Sequence, residues 1–176
     1  VGAVKPFVKE KLIMGILISR ESLREQLCTR LTEKFGRIDF ESDSLDFAFT
    51  HYYDDEMGSP IKRFFVSFEQ LLYPNILSSI KLKSNRMEDE FREGGRRKVN
   101  LDPGFLSMSR LVLATTKEGS HRIPLQSGIF AELTLVFERG EYRPLPWTYP
   151  DYRSDSYRSI LGKIRDIYKI QRHRQL

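Results

Sequence analysis

Apolar residues recur along this chain in two periods, and the period changes mark its elements. Lys11–Ile18 (KLIMGILI) is a continuous apolar run, which predicts a strand buried on both faces. Ser19 stands as an N-cap with Glu21 in the first turn of a helix. Leu23, Leu27, Leu31 and Phe35 then recur every fourth residue, and Gly36 closes the helix. Two strands are expected next, Arg37–Phe40 and Leu45–Thr50. In the second, Leu45, Phe47 and Phe49 alternate with Asp46, Ala48 and Thr50. His51–Pro60 reads as a polar, aromatic loop and Ile61–Phe68 as another strand. Pro74 opens a helix that runs to about Glu93, with Ile76, Ile80, Met87 and Phe91 facing inward, and Gly94-Gly95 ends it.

The second half is richer in strands. Asp102-Pro103-Gly104 is a turn signal, because proline presets φ and glycine accepts positive φ. Phe105–Ser109 is open to a helical reading, and Arg110–Thr116 to a buried strand. Lys117–Ser120 is a loop. His121–Leu125 and Ile129–Phe137 follow as strands, and Arg139-Gly140 turns into Glu141–Leu145. Pro144–Ser154 holds three prolines and is irregular. Tyr157, Ile160, Leu161, Ile164, Ile167 and Tyr168 mark one face of a last helix, with Asp151 or Ser154 at its start. The order predicts a single α+β domain over residues 11–170. It has a mixed or largely antiparallel sheet, about three helices on one face and a ferredoxin-like first half. Residues 1–10 read as an N-terminal arm and 171–176 as a basic C-terminal tail.

Composition narrows the class. The 40% apolar content is too high for a disordered chain, and no apolar stretch approaches the ~20 residues of a membrane span. With no secretion signal and a single cysteine, Cys28, read as a packing residue, a cytoplasmic protein is expected. The net charge of +5 lies wholly in residues 153–176. The neutral remainder offers nucleic acid no broad attraction, so nucleic-acid binding through the last helix ranks third among the functions considered.

Four segments, FTHYYDDEMGSP, VNLDPGFL, LVLATTKEGSHRI and LPWTYPDYRS, resemble the diagnostic blocks of an uncharacterised prokaryotic family catalogued as a domain of unknown function. The resemblance runs from about Lys11 to Tyr168. Some members of that family carry a loose GTP-binding label. The chain has no P-loop, which needs a glycine-rich turn ending in Gly-Lys-Ser/Thr. Asp55-Glu56-Met57-Gly58 fits the short D-x-x-G pattern of GTPases, but no Asn-Lys-x-Asp motif accompanies it. Pro124 stands where an aromatic residue is expected in relatives. It cannot donate to a ladder, so its strand is expected to be an edge or to end early.

Four constellations could carry chemistry. Lys117, His121 and Arg122, with Thr115 and Thr116, offer cations and hydroxyls for a phosphate or carboxylate. Because side chains alternate along a strand, only one of His121 and Arg122 is expected beside Lys117. Asp54, Asp55 and Glu56, near His51, are oxygen ligands for a divalent metal such as Mg²⁺. Asn100, Asp102 and Gly104 could display ligand contacts from a loop. Trp147, Tyr149, Pro150, Asp151, Tyr152 and Arg153 could stack on a ring or anchor a partner. Ordinary loop, turn and packing roles explain each group as well. The leading expectation is a binding site for a small anionic or phosphorylated ligand. Lys117, His121, Arg122, Asn100, Tyr149 and Arg153 are its candidate contacts, and His121, Glu56 and Asp102 its candidate acid–base groups. The alternative is a protein-interaction module that docks through Pro144–Tyr152.

Overall fold

The run at residues 10–18 has no polar face, so it needs apolar cover on both sides. In the computed structural model, which describes residues 2–174, it forms β1 (Glu10–Ile18), buried throughout. The elements that follow are α1 (Arg24–Phe35), β2 (Ile38–Glu41), β3 (Leu45–Asp46), the single turn α2 (Asp54–Met57), β4 (Lys62–Leu72) and α3 (Leu77–Glu90). After these come β5 (Arg92–Glu93), β6 (Arg96–Arg97), β7 (Val99–Leu106), β8 (Arg110–Thr115), β9 (Arg122–Pro124), β10 (Phe130–Glu138), β11 (Glu141–Pro144) and α4 (Asp155–His173).

The main sheet runs β11-β10-β8-β7-β1-β4-β2, with β3 also on β4 and β9 also on β10. Every neighbouring pair is antiparallel. Within it, β7-β1-β4-β2 with α1 and α3 as crossovers is the split βαβ order of a ferredoxin-like half. The α+β class holds, with an antiparallel sheet. The helices, however, lie on both faces rather than one. Leu12, Met14, Ile16 and Ile18 of β1 pack with α1 and α3 through Leu27, Leu31, Ile80 and Met87. Ile13 and Phe65 on the opposite face pack with α4 through Tyr157, Leu161, Ile164 and Tyr168. The apolar face of α4 covers what would otherwise be exposed sheet.

Several expectations are corrected. Ser19 does not cap a helix: its N–H bonds to Lys98 O at 3.1 Å, its hydroxyl has no partner among the described residues, and a 3-10 turn at Glu21–Leu23 leads into α1. The second early strand stops at Asp46. Phe47 N–H still reaches Ile61 O at 3.0 Å, but beyond it the chain leaves the sheet and its aromatic rings pack elsewhere. Helix α3 ends at Glu90, and Gly94-Gly95, both at positive φ, turn the β5–β6 hairpin instead. Ile76 is exposed rather than inward. Phe105–Ser109 is not helical: its first two residues end β7. Pro124 does end its strand, and β9 pairs only with β10 among the described residues. Ser154 caps α4, accepting from Tyr157 N–H, and the helix includes Gln171–His173 of the expected tail. Arg174 of that tail is the helix C-cap, and residues 175–176 lie outside the described residues.

Candidate functional site

Asp102-Pro103-Gly104 is not a turn. It lies inside β7, and there it divides the sheet. β7 and β8 pair only over Gly104–Leu106 against Leu111–Leu113, although β7 reaches back to Val99 and β8 on to Thr115. Pro103 has no N–H for a ladder bond. At Gly104 the two strands nearly touch, since a Cβ would sit 2.6 Å from both Val112 O and Leu113 Cδ2. Past this point β8 stays with β10 and β7 stays with β1. The backbone left bare at Leu101 is satisfied from α3. Glu88 Oε1 accepts its N–H at 2.7 Å, and Lys81 Nζ donates to its C=O at 2.8 Å. Two buried charged side chains thus stand in for a missing strand, because unpaired buried backbone groups are costly.

A cleft of about 720 Å³ occupies the fork. All four of the segments singled out above reach its wall. Tyr52, Tyr53 and Glu56 come from the first, Asn100 and Asp102 from the second, Thr115, Thr116 and Lys117 from the third, and Tyr149–Tyr152 from the fourth. Phe47, against Tyr53, and Phe49, against Phe47, add two more rings.

The floor is a chain of charges. Arg63, 2% exposed, donates to Asp102 Oδ2 at 3.0 Å and to Asp151 Oδ2 at 3.2 Å. The rings of Phe47, Phe65, Tyr152 and Tyr157 surround its guanidinium. Gly15 lies beneath, where a Cβ would come within 2.8 Å of Tyr152 Oη and 3.0 Å of Arg63 Nη1. Arg63 Nε and the hydroxyls of Tyr152 and Tyr157 are buried without partners among the described residues. Asn100 links Asp102 (2.9 Å) to Arg97 (3.1 Å), and Arg97 holds Glu56 through two 2.6 Å bonds and Glu88 through one.

Environment separates these carboxyls. Burial pushes Asp151 above the ordinary aspartate value, and the Arg63 charge only partly offsets it. Burial acts on Asp102 in the same direction, but Arg63, Lys81 and the Asn100 amide together outweigh it and hold Asp102 below the ordinary value. Burial likewise raises Glu88 despite Lys81, whereas its bonds to Arg97 lower Glu56. Burial raises Tyr157 to about 12, so both phenols near Arg63 remain hydroxyls.

The third segment is only partly at the cleft. Lys117 lies on its wall, with Nζ 4.4 Å from the centroid of the Tyr52 ring, and it makes no ion pair among the described residues. Arg122 and His121 do not join it there. Both turn to Glu132, 3% exposed, Arg122 Nε at 2.8 Å and His121 Nε2 at 3.1 Å from the same Oε2. The expected alternation does not separate them because β9 begins at Arg122 and His121 still belongs to the preceding turn. Arg122 also donates to Lys117 O, Glu118 O and Tyr149 Oη, so its donors are committed to the frame of the cleft.

Three further candidates also serve structure. Arg153 donates to Thr148 O and Pro146 O and braces the proline-rich crossover. Trp147 stacks on His121 and donates its indole N–H to Leu133 O, which pins that crossover inward. Asp54 pairs with His51 at 2.7 Å while Glu56 turns to Arg97. Asp54, Asp55 and Glu56 therefore do not converge, and no group of three or more potential ligands is arranged to hold a metal among the described residues.

The sequence profile of a family described as a domain of unknown function, DUF4416, matches residues 8–168. The chain belongs to this family. No curated protein and no solved structure matches it. Every residue on the cleft wall lies within the DUF4416 match. Arg63, Lys81, Glu88, Arg97 and Glu132 are among the wall residues that sequence reasoning missed. They sit on strands and one helix, where local pattern marks burial but not partners. A charge inside an apolar strand was the available signal: Arg63 interrupts Ile61–Phe68, and Glu132 interrupts Ile129–Phe137. No helix among the described residues is long and apolar enough to cross a membrane.

Proposed function

We propose that this DUF4416 domain binds a small molecule in the forked cleft and holds the ligand's anionic group at Lys117. The observation that carries the reading is the convergence of four segments, far apart in sequence, on one cavity of about 720 Å³. That volume is within the ordinary range for small-molecule pockets, about 300–1,000 Å³. Lys117 favours an anion, because every other cation on the wall already has a protein partner: Arg63, Arg92 and Arg97 on carboxylates, Lys81 on a carbonyl. The hydroxyls of Thr115 and Thr116 lie on the same stretch of wall.

The test is a thermal-shift screen of carboxylated and phosphorylated metabolites. A ligand at 100 times its Kd that binds only the folded state adds about 2.7 kcal/mol, and the melting temperature rises accordingly. Lys117→Gln should weaken any hit about tenfold and leave the unliganded melting temperature unchanged. If hits bind Lys117→Gln equally well, the anion assignment is wrong. If no ligand binds, the cleft is not a binding site.

A second reading, proton transfer to or from the bound ligand, has one specific support. Asp102 and Asp151 share Arg63 on the floor, yet their environments push their acidities apart, which suits one as base and the other as acid. Conversion of a hit ligand, followed by mass spectrometry and abolished in Asp151→Asn with binding retained, would support it. An unchanged ligand after prolonged incubation would remove it.

A further inference from the structure

Three features of the wall narrow the ligand further, on the footing that the cleft is a ligand site. The first is the number of rings left unspent. Phe49 and Tyr149 are exposed, and Tyr52 is 63% exposed. Tyr52 meets Tyr53 in a T-shaped contact at 5.0 Å and carries the Lys117 ammonium over its ring, yet most of its side chain stays open to solvent. A surface that keeps aromatic faces exposed around a polar cleft suits a flat π-system, since stacking needs ring faces and little else.

The second is the poverty of free positive charge. Each guanidinium on the wall is already spoken for by a carboxylate. Arg97 has Glu56 and Glu88, Arg63 has Asp102 and Asp151, and Arg92 has Asp89. A di- or triphosphate, which needs several cations or a metal, finds one ammonium without a hydrogen-bond partner among the described residues, Lys117, since Lys81 Nζ is already bonded to Leu101 O. One negative charge is what the cleft can balance.

The third is an acceptor-rich floor. Asp102 is held ionised, chiefly by Arg63 against the effect of burial, and its side chain is 25% exposed. Each of its oxygens accepts a single bond from the protein, Oδ1 from Asn100 and Oδ2 from Arg63. A carboxylate oxygen takes two, so both can accept again.

We infer that the ligand is a planar heteroaromatic acid. Its ring lies among Tyr52, Tyr149 and Phe49, ring N–H or amino donors meet Asp102, and a single carboxylate reaches Lys117. This rests on the small-molecule reading given above, and the experiment separates the two.

Pterin-6-carboxylate and indole-3-acetate serve as planar acids, pterin and indole as the rings without the anion, and citrate and ribose 5-phosphate as anions without an aromatic ring. Each is titrated into the full chain by thermal shift and, for the fluorescent rings, by quenching. At least one planar acid should bind, and more tightly than its ring alone and than either aliphatic anion. Tyr52→Leu should cost that ligand about tenfold in affinity, a typical loss for one stacked ring. Tyr52 is on the surface, so an unchanged melting temperature without ligand verifies that the variant folds. Binding by citrate or ribose 5-phosphate alone would overturn the planar assignment and leave the small-molecule reading intact. Equal binding by wild type and Tyr52→Leu would also overturn it. Silence from all six compounds would overturn both.

Discussion

At the scale of the residue, Arg63 and the position beneath it govern the site. A buried guanidinium is tolerable only while both its carboxylates stay in place, and Gly15 leaves room for the guanidinium and the Tyr152 hydroxyl. Gly15→Ala would force Tyr152 Oη and Arg63 Nη1 off positions already 2.8 and 3.0 Å from the new methyl. The expected loss is about 1–3 kcal/mol, the usual cost of overpacking, measured by urea denaturation. Asp102 gives a pH signature. Its pKa lies below the ordinary value of 3.8, with burial opposing and Arg63 prevailing. Its contribution to stability is therefore complete above 3.8 and fades as the pH falls further, through the folded-state value. The stability difference between wild type and Asp102→Asn should be constant near neutrality and shrink below about pH 4. A difference that grows with acid would show the sign to be wrong. Sequence alone marked Asp102 as a turn residue and a candidate acid–base group, and Arg63 as one position of the strand Ile61–Phe68. Their pairing was invisible, because they lie thirty-nine residues apart and meet only across β1.

At the scale of the element, the fork in the sheet is the feature that local reasoning misread. Asp-Pro-Gly is a good turn sequence, and nothing within five residues says otherwise. It forms a strand because β1 supplies a partner along one whole side of β7. Its proline and glycine act on the other side, where one withholds a donor and the other permits the close approach that ends the pairing. The bare edge then depends on α3. Lys81→Met would leave Leu101 C=O without its 2.8 Å partner. Such an orphan costs about 1–3 kcal/mol, and amide exchange should quicken along β7 more than along β4. Equal exchange on both strands would mean that water replaces the ammonium at no cost. Strongly periodic elements such as α1, α4 and β10 were legible because their burial pattern repeats. Leu45–Thr50 failed because its alternating aromatic residues pack around the cleft instead of in the sheet.

At the scale of the whole molecule, α4 ties the last residues of the described chain to the first strand. Lys11, fully buried, bonds to Asp39, to Phe68 O at 2.9 Å and to Gln171 Oε1 at 2.8 Å, while Tyr168 Oη reaches Lys9 O at 2.8 Å. Lys11→Met should cost about 3 kcal/mol. That is the lower end for breaking a buried pair, since Asp39 keeps Ser67 and Gln171 as donors. The loss should appear by hydrogen exchange as fraying near Gln171 before global unfolding. Protection there as strong as in wild type would show that apolar packing alone seats the helix. By itself the sequence determined the elements whose hydrophobic period is long and regular, the α+β class, the ferredoxin-like order of the first half and the four segments that carry polar and aromatic side chains. Only the tertiary structure decided that α4 covers the second face and that β7 and β8 part at Pro103-Gly104. It also decided that the four segments meet, and that Arg122 and His121 serve Glu132 while Lys117 stays free. The reason is physical: a period records whether a side chain is buried, whereas the partner of a charge depends on which distant strand arrives beside it.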